Sequence, residues 1–333
     1  MKSKNEFSQK ILIAGLGSIG QRHLKVLEEA GFSNISVTDP DPKSVQKALG
    51  MYPDVKPVNS LEAGLSQKPD AVFILTPPKL HIPMAIMAAE SGCSIFCEKP
   101  LSDSFDQIEE LQKMVLKNKV TFAIGLCFRY HAGILELKRI LDSGRLGRLI
   151  SIRSIMGEHF PTVRPDYKTL FSSKYSGAFD LIHDLDLALW FAGQSVSDVH
   201  CIYGNYSDID IEAPDLAEIM LNFKNHCIAT VHLDFFHQPR KRQIELICTG
   251  GTAEIDFSSW DEYTTSIYDA SVKEYSTHTV PTKRDDMFHD EDLAFLRCVS
   301  GKKDKIFSMD DAILSLDILE KIKTYKGDNK CKK

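Results

Sequence analysis

The sequence predicts an α/β chain in two parts: a doubly wound parallel sheet at the N-terminus, then an α+β half built on an open, largely antiparallel sheet. Three observations carry this. Short apolar strand patterns alternate with helical patterns as far as Ile124. The first strand breaks into a glycine-rich turn, Gly15-Leu16-Gly17-Ser18-Ile19-Gly20, and restarts at once as a helix. Beyond Ala132 the β-like runs follow one another through short turns such as Lys224-Asn225 and Gly250-Gly251, which is the signature of antiparallel pairing. The expected division is a nucleotide-binding domain over 1–128 and a substrate and oligomerisation domain over 129–333, with the C-terminal helices returning to the first.

Taken in order, Ile11–Ala14 is an apolar strand and Gln21–Ala30 the helix behind the turn. A helix that starts from glycines directs its first N–H groups and positive dipole end at whatever lies over the turn, and a pyrophosphate suits that place. Gly15 makes the tight turn, Gly17 admits the phosphates, Gly20 lets helix and strand pack closely, and Ser18 and Ile19 supply backbone between them: a Rossmann-type fingerprint. Asn34–Thr38 is the next strand and ends in Asp39, near the spacing at which a carboxylate reaches an adenosine ribose. With no Arg or Ser beside it to accept a 2′-phosphate, Asp39 favours NAD over NADP. It could equally cap the helix after Pro42.

Lys43–Leu49 and Leu61–Ser66 read as short helices, Ala71–Leu75 and Ser94–Cys97 as buried strands, Leu80–Glu90 and Phe105–Lys117 as helices, and Val120–Ile124 as the last strand of this half. Ligands of such sheets sit at the strands' carboxyl ends. Those ends carry Asp39, Thr76–His81, Glu98-Lys99-Pro100 and, a little further on, Arg129. In the second half, helix Ala132–Leu141 precedes strand Leu149–Ile155. Runs Val199–Tyr206, Leu216–Phe223, Cys227–Phe235, Gln243–Cys248 and Thr252–Phe257 follow, interrupted earlier by a helix over about Gly177–Phe191. Asp285–Val299 and Met309–Lys323 close the chain as amphipathic helices.

Composition narrows the class. The chain has 333 residues, 43% hydrophobic and 26% charged, with a formal charge of −6, so nothing global draws it to nucleic acid or an anionic membrane. The eight cysteines sit mostly inside apolar runs without CxxC pairs and read as reduced core residues of a cytoplasmic protein. The N-terminus shows no apolar leader and no run is long enough to span a bilayer.

Two constellations bear chemistry. Lys99, between Glu98 and Pro100 at a strand end, could bind a substrate hydroxyl and stabilise an alkoxide as hydride leaves; a surface Glu-Lys-Pro turn is the alternative. Asp180, His183 and Asp186, spaced by three on one expected helix, would flank an imidazole with carboxylates, as a general base requires. The same three could ligate a metal, but no further cluster is placed to complete a site, and no metal is expected. Arg164, Tyr167 and Lys168, in a basic and aromatic stretch over Phe160–Tyr175, suit a polyhydroxylated or anionic small molecule, or a subunit contact; Arg129 and Arg240 add positive charge.

GLGSIGQRH at Gly15–His23, TPPxxH at Thr76–His81, EKPL at Glu98–Leu101, GxxFR at Gly125–Arg129, the Leu146-Gly147 turn and HxxD at His183–Asp186 together resemble the Gfo/Idh/MocA oxidoreductases. HLDFFHQP and GGTAEIDF extend the likeness into that family's C-terminal sheet. The resemblance implies NAD(P)-dependent oxidation or reduction of a sugar or cyclitol carbon, and dimers or tetramers built on the sheet face. It implies Lys99 near the nicotinamide, His183 as base, and Thr76, Pro77, His81 and Glu98 lining the cofactor. Many members carry Asp-x-x-x-His, whereas Asp180 precedes His183 by three. The first reading is thus an NAD-dependent dehydrogenase or reductase of a sugar, sugar acid or cyclitol, with Lys99, Arg129, Arg164, Tyr167, Asp180 and His183 toward substrate. The alternatives are an NAD-dependent glycoside hydrolase or isomerase that recycles its cofactor, and a non-catalytic regulator.

Overall fold

The computed structural model describes residues 8–171 and 176–324. Cys331 and the end of the Phe160–Tyr175 stretch lie outside them. The chain divides into two compact units. The first runs up to Tyr130 and takes in Asp285–Leu316; the second comprises His131–Arg284 and the residues from Asp317 on.

The first unit is built on six parallel strands: β1 Ile11–Ala14, β2 Ile35–Thr38, β3 Lys56–Pro57, β4 Ala71–Ile74, β5 Ser94–Glu98 and β6 Phe122–Gly125. Their order is β3-β2-β1-β4-β5-β6, so the direction of winding reverses between β1 and β4, the switch point at which doubly wound sheets bind ligands. β1, β4 and β6 are buried along their whole length, as expected of strands covered by helices on both faces. Helices Ser18–Glu29, His81–Glu90 and Ile108–Asn118 are among those connecting them. Gly64 shows how closely they dock, since a Cβ there would lie 2.7 Å from the Leu12 side chain. One core joins Ile11, Ile13, Leu24, Leu27, Phe73 and Phe96 to Phe295 and Leu296 of helix Asp286–Val299.

The second unit holds eight strands: β7 Leu149–Gly157, β8 Val196–Gly204, β9 Leu216–Phe223, β10 Ile228–Asp234, β11 Lys241–Cys248, β12 Gly251–Asp256, β13 Glu262–Asp269 and β14 Glu274–Pro281. The order is β14-β13-β12-β11-β7-β10-β9-β8. Only β7 and β10 pair in parallel; the other pairs are antiparallel. Burial alternates along β9 and β11, so one face packs on apolar side chains and the other stays open. The open face carries a depression of about 410 Å³ lined by Arg153, Glu218, Thr230, His232, Gln243 and Glu245, among others.

Where the elements differ from expectation, the reasons are local. β3 is two residues long and too short to pattern. The β13–β14 hairpin follows an alternation of small polar residues, and β14 is almost wholly exposed, so it offers no hydrophobic period. Asp41, not Asp39, caps helix Pro42–Met51, accepting from the Lys43 N–H at 3.0 Å. The expected helix over Gly177–Phe191 is two pieces, a 3₁₀ turn Gly177–Asp180 and an α-helix Ile182–Ala192. The break falls at Leu181, whose ψ is +34°, and Gly177 fixes where the first piece starts. Its φ is +70° and a Cβ there would fall 2.4 Å from the Pro214 carbonyl oxygen, a conformation and an approach that only glycine supports. Of the seven described cysteines, six are buried and all are free thiols.

Candidate active site

In the first unit the glycine turn has the geometry its sequence requires. Gly15 has φ +98° and a Cβ on it would lie 2.7 Å from the Leu75 carbonyl oxygen; on Gly20 it would lie 2.0 Å from the Gly15 carbonyl oxygen. Gly17 is different, with nothing within 4 Å of such an atom. No side chain caps helix Ser18–Glu29, whose N-cap is Gly17, so its first N–H groups face that open space. Asp39 ends β2 beside the turn: its carboxylate accepts from the Leu16 N–H at 2.6 Å and from the Asp41 N–H at 2.8 Å. Half-buried, it keeps lone pairs for a ribose while stiffening the turn. These residues fit a dinucleotide's pyrophosphate and adenosine ribose.

The motifs after β4 and β5 are tied together by His81. Its Nε2 lies 2.7 Å from the Thr76 carbonyl oxygen and its Nδ1 2.8 Å from that of Pro100. Burial pushes its pKa down, against the opposing pull of these carbonyls. His81, buried to 1% exposure, is therefore a brace between the Thr76-Pro77 and Lys99-Pro100 segments.

Glu98, the last residue of β5, is buried, and its Oε2 accepts from the Lys99 N–H at 2.5 Å. Burial raises its pKa against the opposing pull of Lys99 and His23. The Glu-Lys-Pro segment is thus anchored inward by Glu98, with Lys99 and Pro100 half-buried. Arg129 is buried a little further along the chain. Its guanidinium, 2% exposed, donates to Asp311 at 2.7 Å and stacks 4.5 Å over the Phe307 ring; its neighbours hold the unit together.

In the second unit, His183 and Asp186 lie on helix Ile182–Ala192, but Asp180 does not. It sits on the preceding 3₁₀ turn and accepts from the Gly177 N–H at 3.2 Å. The single helix face of three polar residues is replaced by a helix with His183 at its first turn. The residue that reading passed over is Asp184. Fully buried, it accepts from Arg242 at 2.5 Å and 3.3 Å and from the Ser154 hydroxyl at 3.2 Å. Its signal was weak, since Asp186 and His183 stand on the same helix.

The basic stretch is largely paired. Arg164 grips Asp166 through two bonds of 3.0 Å, the Tyr167 hydroxyl donates to the Asp210 carbonyl at 3.3 Å, and Lys168 pairs with the Asp210 carboxylate. Arg240 is packed differently. It and Arg284 each stand 4.2 Å from the Trp260 ring. Burial, with Arg242 nearby, pushes its pKa down to about 10.

A parallel sheet with this strand order, a glycine turn at its switch point and an appended α+β unit define a Rossmann-fold dinucleotide-binding protein. The chain belongs to the GFO/IDH/MocA oxidoreductase family. The family's NAD-binding Rossmann model matches residues 9–126 and its C-terminal domain model residues 134–254. The chain is similar to the uncharacterized oxidoreductase YrbE of Bacillus subtilis, 26% identical over 88% of this chain and 86% of that one. It is similar to inositol 2-dehydrogenase 4 of Saccharopolyspora erythraea, 25% identical over 74% and 73%. Among solved structures, myo-inositol 2-dehydrogenase from Lactobacillus plantarum shares the fold with a TM-score of 0.80 at 23% identity, covering 95% and 96% of the two chains. Among the described residues no helix is long and apolar enough to cross a membrane.

Proposed function

We propose that the protein is an NAD-dependent dehydrogenase acting on a secondary alcohol or ketone carbon of a sugar, sugar acid or cyclitol. The observation that carries this reading is the placement of Lys99. It follows a buried carboxylate at the carboxyl end of β5, in the same unit as an uncapped glycine turn at the sheet's switch point. The names of the inositol 2-dehydrogenase relatives support the substrate class.

When bound, the nicotinamide supplies the hydride acceptor or donor. Gly15–Gly20 would hold the pyrophosphate, and Asp39 the adenosine ribose. Asp39 carries negative charge where a 2′-phosphate would sit, and Pro40-Asp41-Pro42 after it offers no cation, which supports NAD over NADP. Thr76, Pro77, His81 and Glu98 shape the cofactor's surroundings, His81 by bracing two loops and Glu98 by anchoring Lys99. Lys99 would donate to the reacting oxygen and steady its negative charge, while His183 takes or returns the hydroxyl proton.

The test is to follow nicotinamide absorbance with NAD and, separately, NADP against a panel of cyclitols, sugars, sugar acids and nucleotide sugars. Turnover of one class, lost by several orders of magnitude in both Lys99→Ala and His183→Ala while NAD still binds, supports the reading. Undiminished turnover in either variant removes that residue's role, and binding of NAD without turnover of any class overturns the dehydrogenase.

A further inference from the structure

Outside the residues assigned above, β10 and the loop after it bring together two imidazoles and a carboxylate. His232 and Asp234 stand two apart on the open face of β10, and His237 follows three residues later. Nε2 of His232 lies 2.8 Å from Oδ2 of Asp234, and Nδ1 of His237 lies 3.4 Å from the same oxygen. The three residues each offer a donor atom within 4.8 Å of the others. Zinc holds nitrogen and oxygen donors at roughly 2.0–2.2 Å, which sets tetrahedral neighbours about 3.3–3.6 Å apart. The Asp234–His237 spacing already meets that, and the His232–Asp234 spacing would have to open by about half an ångström.

Three features make this more than a chance cluster. Asp234 is fully buried, and its other oxygen, Oδ1, accepts from the Phe236 and His237 N–H groups at 2.8 and 2.7 Å, so Oδ2 has a fixed direction. His232 faces a second carboxylate on its far side, Nδ1 lying 2.5 Å from Oε1 of Glu218 on β9. A carboxylate behind an imidazole is how proteins fix the tautomer of a metal ligand. Gly157, the parallel partner of Asp234 across β7, would with any Cβ place an atom 2.3 Å from Oδ2 and 2.5 Å from the His237 Cβ. Glycine there keeps the space beside the carboxylate clear.

We propose that His232, Asp234 and His237 form a mononuclear site for a zinc-like divalent ion, with water completing the shell and Glu218 orienting His232. The donor set of two imidazoles and one carboxylate suits such ions and not the oxygen-only preference of magnesium or calcium. The site pins the carboxyl end of β10 to its loop and to β7, and does not depend on the dehydrogenase reading.

The experiment strips the full-length protein with a chelator and titrates it with Co²⁺, then Zn²⁺. The expected result is one equivalent per chain, the visible absorption band of tetrahedral Co²⁺, its displacement by Zn²⁺, and a rise in melting temperature with Zn²⁺. His237→Ala should weaken binding at least 100-fold and abolish the thermal shift. Glu218→Gln should weaken it about 10- to 100-fold and keep the band. His237→Gln serves where the alanine variant unfolds early. Absence of the band and of the thermal shift in the folded wild type overturns the site, as does binding unchanged in the His237 variants, which would place the ion elsewhere.

Discussion

His23 meets Asp292 inside the first unit, its Nδ1 2.8 and 3.0 Å from the two carboxylate oxygens, with both side chains essentially inaccessible to water. Burial alone would push the imidazole's pKa down; the Asp292 carboxylate, with Glu98 behind it, more than offsets this and raises it. Glu291, next in the chain to Asp292, is buried and its pKa is pushed well up by desolvation and by the two neighbouring carboxylates. Both groups therefore hold protons in the folded chain at pH values where the unfolded chain has released them, Glu291 above roughly pH 4.3 and His23 above roughly pH 6.5. More protons in the native state means that stability falls as pH rises. The melting temperature should drop as pH rises above roughly 4.3, where Glu291 contributes, and further above roughly 6.5, where His23 does, and Glu291→Gln should flatten that slope and raise the melting temperature at its alkaline end. Asp292→Asn should cost about 3–5 kcal/mol below the imidazole's pKa, because it strands a buried charge. Calorimetry across that range checks both.

The glycine turn separates folding from cofactor binding. Gly20→Ala sets a methyl 2.0 Å from a backbone oxygen that cannot move away, and should cost about 3 kcal/mol or more in unfolding free energy. Gly17→Ala meets open space at a φ of −64°, so the chain should fold with stability changed by about 1 kcal/mol at most. Its methyl would occupy the proposed pyrophosphate position, and NAD affinity should fall about 10-fold or more, roughly 1.4 kcal/mol. Equal NAD affinity in Gly17→Ala and wild type would place the dinucleotide elsewhere.

Most strands of both sheets, β3, β13 and β14 apart, were legible because they obey simple periods: continuous apolar runs where both faces are covered, as in Ala71–Ile74, and alternation where one face is open, as in Leu216–Phe223. Asp39 and Glu98 stood out as polar residues at the ends of apolar strands. The break between Asp180 and Ile182 was not legible, since the helical period of Gly177–Phe191 is unbroken and the approach that holds the first piece, Gly177 to Pro214, lies 37 residues away in the chain. For the same reason Asp184 read as one of several acids. Its partner Arg242 is 58 residues distant, and no local pattern announces a pair made by a sheet register.

Asp39 bonds to the turn it is expected to serve. Replacing it with serine removes the bonds accepted from Leu16 and Asp41 at about 1–2 kcal/mol, and removes the charge that would oppose a 2′-phosphate. The ratio of NADP to NAD affinity should rise at least about 10-fold, measured by direct titration of both cofactors. A ratio left unchanged would mean that Asp39 only shapes the turn.

The open sheet face exposes Ile202, Met220 and Ile228, each about half accessible, on neighbouring strands β8, β9 and β10. Apolar side chains placed together in this way are what a contact between copies of the chain would cover. Met220→Arg should shift the protein toward the monomer in light scattering without lowering the unfolding temperature of the dissociated chain. A wild type that is already monomeric at assay concentration would remove this face as the interface.

Asp184 follows His183 directly and binds the first turn of its helix to β11 through Arg242 and to β7 through Ser154. Arg242→Met leaves a buried carboxylate without its counter-charge and should cost about 3–5 kcal/mol, whereas Asp184→Leu combined with Arg242→Met should recover most of it, since an apolar pair of similar volume removes both desolvated charges. The kinetics should not recover in parallel. If His183 is the base, its position depends on the geometry of that first turn, and the double variant, stable but held only by apolar contact, should show a lowered kcat with KM little changed. Full recovery of stability together with full recovery of kcat would show that the pair only fills the core, and that His183 takes its position from the helix alone.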